Sequence, residues 1–291
     1  MIRRVGIVAK IRLLAASGPL VEIAEWLDHR GIEPVFEVET AALAGFGGER
    51  IRVSRDELAE LVDMVLVLGG DGTLLSMADR IGQAGRDIPI LGVNFGHLGF
   101  LTEISLSDLF PALESALAGS APIDERLMLQ CRIVRRGKTF AERILLNDVV
   151  VERGAMSRML ELSVSVGGQF VARFHADGLI IASPTGSTAY NLSAAGPIVH
   201  PEVDALVLTP IAPHTLTNRP VVIPASAEVE VQSVTHEPDQ QVYVMLDGQT
   251  GFQLQSGDQL IVTRAPHPLR LIRASQSYFE VLRQKLRWAE R

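Results

Sequence analysis

The sequence predicts two domains of different class: an N-terminal α/β domain built on a doubly wound parallel sheet, then an all-β sandwich domain, closed by a terminal helix. Three observations carry this expectation. Over roughly the first 118 residues, short continuously apolar runs alternate with helical patterns, as strands buried on both faces between crossover helices do. Past that point helical periodicity stops, and strand patterns separated by turn residues take over. The chain is 291 residues long, and at roughly 150 residues per domain two domains are expected. The expected divisions are 1–122, 123–274 and 275–291, with the last helix packing back on the first domain.

Residues 4–10 (RVGIVAK) read as a short buried strand. Residues 19–30 place Leu20, Ile23, Ala24 and Leu27 at helical spacing, and Gly31 ends that helix. Residues 34–38 form a second strand. Ser54 and Glu57 make a capping box ahead of a short helix carrying Leu58, Leu61 and Val62. Residues 64–68 are an apolar strand that runs into Gly69-Gly70, and 73–84 follow as a helix. A buried strand at 88–93 and a helix at 106–118 complete the first domain. In the second, 127–135 and a return strand flank Gly137, and 160–166 and 169–174 flank Gly167-Gly168, a two-residue hairpin signal. Runs at 203–208, 228–234, 242–246 and 259–264 continue the series. Residues 278–288 read as a helix with Phe279, Leu282 and Leu286 on its apolar face.

Composition narrows the function. Hydrophobic residues make up 47%, too many for a disordered chain. Aromatics are 5% and the net charge is −7, which argues against a nucleic-acid partner, since stacking platforms and phosphate-backbone binders need the opposite. Small anions stay open, because they need only local N–H donors and a few cations. Cys131 is the one cysteine, so no intrachain disulfide and no cysteine metal cluster can form, which fits a reducing cytoplasm. The segment MIRRVGIVAKIRLLAASG has no long apolar stretch, so no signal peptide is expected, and the uncharged stretch 178–201 is too rich in Ser, Thr, Gly, Pro and Asn for a membrane span.

Four segments carry chemistry. In VLVLGGDGTLL (65–75) a buried strand ends in a glycine turn that opens a helix, where amides and the helix dipole attract phosphates. It is neither a Walker A loop nor a GxGxxG fingerprint. Asp71 inside that turn would repel phosphates unless it binds a metal or accepts a proton; the bland alternative is a helix cap. ILGVNFGHLGFL (90–101) repeats the strand-then-glycine logic, so Asn94, Gly96 and Gly99 are candidates for backbone near a ligand, while His97 reads more readily as structural. NDVVVER (147–153) pairs Asn147 with Asp148, which suits a ribose diol or a base edge, or a simple turn. HADGLIIASPTGSTAYNLSAAGPIVHP (175–201) concentrates small hydroxyl residues at a strand-to-helix junction, either as a binding surface or as a buried helix bonded to itself.

Together GGDGT, NxGxxGFL, the Asn-acid pair and DGLIIASPTGSTAYNLSAAGP resemble the bacterial NAD kinase family, over about residues 5–288. GGDG alone also occurs in diacylglycerol- and sphingosine-kinase-like proteins; the hydroxyl-rich block is far more specific. The resemblance implies transfer of a phosphoryl group from ATP to the 2′-hydroxyl of the adenosine ribose of NAD, giving NADP. It also implies a divalent metal, Mg²⁺, with no assigned protein ligands beyond Asp71 and the donor phosphates. It implies a homodimer or homotetramer, located in the cytoplasm. Asp71 would be the catalytic aspartate, acting as base toward the 2′-hydroxyl or organising the metal. Gly69, Gly70, Gly72 and Thr73 would cradle the donor phosphates. Asp71 and Gly72 together with Asn147, Asp148, Arg158, His175, Asp177, Thr188, Ala189, Tyr190, Asn191, Leu192, Ser193 and Gln249 would contact NAD, Asp177 across a subunit boundary. Two positions depart from the family: Asp148 stands where Glu is usual, and His175 where Arg is common. A lipid or sphingoid kinase would need an apolar acceptor groove, and a non-enzymatic dinucleotide sensor would not need Asp71.

Overall fold

A computed structural model describes residues 2–96, 98–154, 159–215, 217–234, 241–273 and 277–288. The first strands are β1 (Arg4–Ala9), β2 (Glu33–Glu37), β3 (Ile51–Val53), β4 (Met64–Gly69), β5 (Pro89–Asn94), β6 (Ile104–Ser105) and β7 (Ile123–Arg126). The helices among them are α1 (Ser17–Asp28), α2 (Val38–Ala44), α3 (Arg55–Leu61), α4 (Asp71–Gln83) and α5 (Leu109–Leu117). Then come β8 (Leu129–Arg135), β9 (Lys138–Leu145), β10 (Asp148–Arg153), β11 (Leu160–Val166), β12 (Gln169–Ala176), β13 (Gly178–Ala182), α6 (Tyr190–Ser193) and β14 (Ala205–Ile211). The series ends with β15 (Val221–Pro224), β16 (Val229–Ser233), β17 (Val242–Leu246), β18 (Thr250–Leu254), β19 (Gln259–Arg264), β20 (Leu269–Ile272) and α7 (Tyr278–Leu286).

The chain forms two compact units, 1–125 with 269–291, and 126–268. In the first, the strand order is β3-β2-β1-β4-β5-β20-β7, and the β1, β2, β3, β4, β5 and β20 pairings are parallel. Every residue of β4 is buried, which is why MVLVLG reads as one apolar run. Val5, Ile7, Leu66, Leu68, Leu91 and Val93 pack with Leu20, Ile23 and Leu27 of α1 in one cluster. The order contains the reversal that creates a binding crevice: from β1 the chain winds one way to β2 and β3, and from β4 the other way to β5.

Three differences from the sequence reading have physical causes. β2 stops at Glu37 and Val38–Ala44 is a helix, because the Glu37 carboxylate accepts from Arg55 Nε (2.7 Å) and Thr40 Oγ1 (2.5 Å), folding the chain back at once. β7 and β20 lie in the first sheet, so the compact units divide at 125/126 and 268/269 where the sequence suggested 122/123 and 274/275. The run LRLI resembles a sandwich strand in everything except its partners. In α7, Ser277 and Glu280 form a reciprocal capping box, so helical phase starts at Tyr278 and turns Tyr278, Val281 and Leu282 inward. Phe279, expected on the buried face, is 57% exposed.

The second unit holds two antiparallel six-stranded sheets, β15-β14-β13-β10-β17-β18 and β12-β11-β16-β19-β8-β9. Inward residues of both, among them Leu129, Cys131, Val151, Leu162, Leu179, Ile181, Leu206, Val244 and Val262, share one core. The first sheet is covered on its other face too: Val150, Ile180, Ala182 and Val207 pack with Val199 and Ala194. That second layer makes β13 buried at all five positions. The uncharged stretch therefore supplies both a strand of this sheet, 178–182, and part of the layer that covers it, with Ala194 and Val199. Gly167 and Gly168 have φ of 56° and 75°, the left-handed pair a two-residue hairpin requires.

Candidate functional site

In the first unit, the candidate site is built at the reversal point. Lys10, one residue past β1, extends the ladder by donating its N–H to Leu68 O (2.8 Å). A Cβ on Gly69 would lie 2.9 Å from Thr73 Oγ1 and 3.0 Å from Lys10 Cβ, so only glycine lets β4, α4 and Lys10 meet this closely. Gly70 is the N-cap of α4 and has no side chain to occupy the helix amides; Asp71 is the first helical residue. The 13-residue helix thus presents its N-terminal dipole at the crevice, with Lys10 exposed beside it.

Asp71 does not cap its own helix. Its Oδ1 accepts from Leu101 N (3.1 Å), Thr102 N (3.0 Å) and Thr102 Oγ1 (2.9 Å), and its Oδ2 accepts from Phe100 N (2.8 Å). The two glycine-rich motifs are therefore joined through one carboxylate. Gly99 exists for that contact: a Cβ there would sit 2.0 Å from Asp71 Oδ1 and 2.3 Å from Thr102 Oγ1. Asn94 also serves the loop, donating to Thr102 O and Ile104 O (both 3.3 Å). His97 lies outside the described residues.

In the second unit, Asn147 and Asp148 line a cavity of about 300 Å³ together with Glu152, Tyr190, Met245 and Gly248. Asp247, at the β17–β18 turn, also lines it and holds the pair in place. Its carboxylate accepts from Leu146 N (2.8 Å), Asn147 N (2.8 Å) and Asp148 N (3.0 Å). Asp247 and Gly248 have φ of 49° and 63°, a backbone that Asp-Gly tolerates. Asp148 is 4% exposed, and burial, reinforced by the Asp247 charge, pushes its carboxyl up to about 7. Asp247→Ala removes the acceptor of three backbone N–H groups, and a loss of about 2 kcal/mol or more in urea unfolding is expected. An unchanged midpoint would show that water replaces the carboxylate.

The hydroxyl-rich block packs directly on this pair. Ser183 N donates to Asn147 O (2.8 Å), and Ser183 Oγ donates to Leu146 O (2.5 Å). A Cβ on Gly186 would lie 2.1 Å from Asn147 O, so the block's glycine marks a backbone-to-backbone contact. Thr188 and Ala189 are half-buried, and Tyr190, 42% exposed, reaches the cavity. Leu192 is half-buried and Ser193 exposed. Asn191 is different: it is fully buried, donates to Ser187 O and Pro197 O (both 3.0 Å) and accepts from Thr209 Oγ1 (2.6 Å), so its amide is committed to holding the block on the sheet. Asp177 accepts from Arg153 Nε (2.7 Å). His175 and Gln249 are exposed, and Arg158 lies outside the described residues.

Sequence reasoning overlooked three residues of this geometry. Lys10 could have been found as a cation directly after the strand that pairs with β4. Asp247 carried an Asp-Gly turn signal. Thr102 carried none, since its role appears only when residues 71 and 102 meet.

Residues 5–121 match the family described as the ATP-NAD kinase N-terminal domain, and 146–274 the ATP-NAD kinase C-terminal domain. The chain is similar to an NAD kinase of Geotalea daltonii, 46% identical over 99% of this chain and all of the relative. It is also similar to one of Geobacter metallireducens, 47% identical over the same shares. Among solved structures, an NAD kinase from Archaeoglobus fulgidus in complex with ATP superposes with a TM-score of 0.76 at 25% identity, covering 97% of this chain and 99% of that one. Yeast NADH kinase complexed with NADH shares the fold, with a TM-score of 0.90 at 24% identity, covering 99% of this chain and 88% of that one.

Proposed function

This chain belongs to the NAD kinase family, and from that premise we propose how its residues divide the reaction. It phosphorylates NAD with ATP, giving NADP. The observation that carries the division of labour is the carboxylate of Asp71 at the N-terminus of α4, on the crevice side of the sheet reversal.

Donor phosphates rest on Gly69, Gly70, Gly72 and Thr73, where the α4 dipole favours anions and Lys10 adds a positive charge. Asp71 takes the proton of the 2′-hydroxyl. The 2′ oxygen then bonds to the γ-phosphorus, the bond from that phosphorus to the β–γ bridging oxygen breaks, and its electron pair leaves with ADP. Asn147, Asp148, Tyr190 and their neighbours in the second unit's cavity hold the dinucleotide; Thr188, Ala189, Leu192, Ser193, Asp177, His175, Gln249 and Arg158 extend that surface. Asn191 supports it from behind. Among the described residues no group of three or more His, Cys, Asp or Glu could hold a metal ion. We assign the divalent cation to the donor's phosphates, as part of the substrate. No described helix is long and apolar enough to cross a membrane. We assign the enzyme to the cytoplasm, as a homo-oligomer.

The test is direct: with ATP, Mg²⁺ and NAD, NADP detected by an NADP-specific dehydrogenase should accumulate, while diacylglycerol and sphingosine remain unphosphorylated. Faster lipid phosphorylation would sink the reading. Asp148→Ala should raise KM for NAD by roughly tenfold, as loss of a hydrogen bond to a charged group of about 1–3 kcal/mol implies, with a smaller change in kcat. Asp148→Glu should be tolerated. An unchanged KM in Asp148→Ala would remove Asp148 from the dinucleotide site.

A further inference from the structure

We propose that the segment 99–102 gives the two oxygens of Asp71 different duties: Oδ1 is the anchor, Oδ2 receives the proton, and Gly99 and Thr102 are the residues that enforce this. The inference rests on the reading of Asp71 as the proton acceptor and deepens it.

A carboxylate offers about four lone-pair positions, two on each oxygen. Oδ1 takes three donors, from Leu101 N, Thr102 N and Thr102 Oγ1, and is saturated. Oδ2 takes one, from Phe100 N, and keeps a lone pair. The asymmetry is fixed by sterics as well as hydrogen bonds. Gly99 packs its bare Cα against Oδ1, with room for nothing larger: a Cβ would approach to 2.0 Å. Thr102 is fully buried, so its hydroxyl has no competing water, and Asn94 fixes the same residue from behind through Thr102 O. A carboxylate held at one oxygen cannot rotate about its terminal torsion, which is otherwise broad. Oδ2 therefore keeps one direction, and a proton acceptor must hold its direction within hydrogen-bond reach of the hydroxyl. The second glycine-rich motif thus serves the acid of the first.

Thr102 is a positioning residue, and its effect should fall on turnover. Thr102→Val keeps the shape and the backbone donor but deletes the hydroxyl. The expected result is a fall in kcat of at least about tenfold with KM for ATP and NAD within threefold. Thr102→Ser, which restores the hydroxyl, should recover most of kcat. Gly99→Ala should lose turnover nearly as fully as Asp71→Asn while a thermal melt still shows a folded protein. Thr102→Val with kcat within twofold of wild type, a failure of Thr102→Ser to rescue, or a folded and active Gly99→Ala would each overturn the inference. Should Gly99→Ala fail to fold, the Thr102 pair decides alone. If Asp71→Asn is inactive while Thr102→Val is unaffected, only the cradle falls; if Asp71→Asn keeps its turnover, the proton-acceptor reading falls and takes the cradle with it.

Discussion

Asp71→Asn is expected to lose at least about a hundredfold in kcat, because a positioned base contributes roughly 10²–10⁴-fold and a ribose hydroxyl is a weak nucleophile at neutral pH. The amide keeps one acceptor oxygen, which can take the place of Oδ1 before Leu101 N, Thr102 N and Thr102 Oγ1. Its NH₂ then faces Phe100 N, a donor against a donor where the carboxylate accepted at 2.8 Å. A destabilisation of about 1–3 kcal/mol is therefore expected as well, too little to unfold a stable domain. NAD should bind within a few-fold of wild type, since asparagine keeps a polar group of the same size at this contact and the other dinucleotide contacts are untouched. The decisive pair of measurements is kcat and a thermal melt on the same preparation. Near-wild-type turnover in a folded variant would leave Asp71 as a structural link between residues 71 and 102.

Asp148→Asn should change stability in a way that depends on pH. In the folded protein burial and Asp247 raise the Asp148 carboxyl to about 7, against an ordinary value of 3.8. Between these values the unfolded chain has lost the proton and the folded chain has kept it. Wild-type stability from this group therefore falls as pH rises from about 4 to 7, and the full penalty is present above 7. The gap between 3.8 and about 7 corresponds to roughly 4 kcal/mol as an upper value. Asparagine carries no such penalty. Its melting temperature should match or fall below wild type at pH 5 and exceed it at pH 8, and parallel curves at the two pH values would refute the buried-carboxyl argument.

The fold was legible wherever local pattern and tertiary partner agree. MVLVLG is a central strand by any reading, and Gly167-Gly168 could hardly be anything but a hairpin. What stayed hidden was set by partners far along the chain. LRLI has no mark saying that Leu271 pairs with Ile90 of β5 rather than with its sandwich neighbours. The site divides the same way. Asp71, Asn147 and Asp148 announce themselves as polar residues at strand ends, but Asn191 sits in a polar block that looks like ligand surface and is wholly buried. A sequence shows that an amide is present; only packing shows that Ser187, Pro197 and Thr209 have already claimed it.

The position of β20 between β5 and β7 has a consequence for how the chain is made. A ribosome that has released residues 1–126 has delivered every other strand of that sheet and not the one that joins β5 to β7. At about 5–20 residues per second, synthesis of 126–268 leaves the gap open for on the order of ten to thirty seconds. During that interval β5 keeps an apolar edge at residues 89–91 whose backbone groups lack their final partner, the kind of surface that recruits chaperones or pairs with other nascent chains. Completion of the first sheet therefore waits for residues 269–272 to clear the exit tunnel, after the whole of the second unit has already emerged.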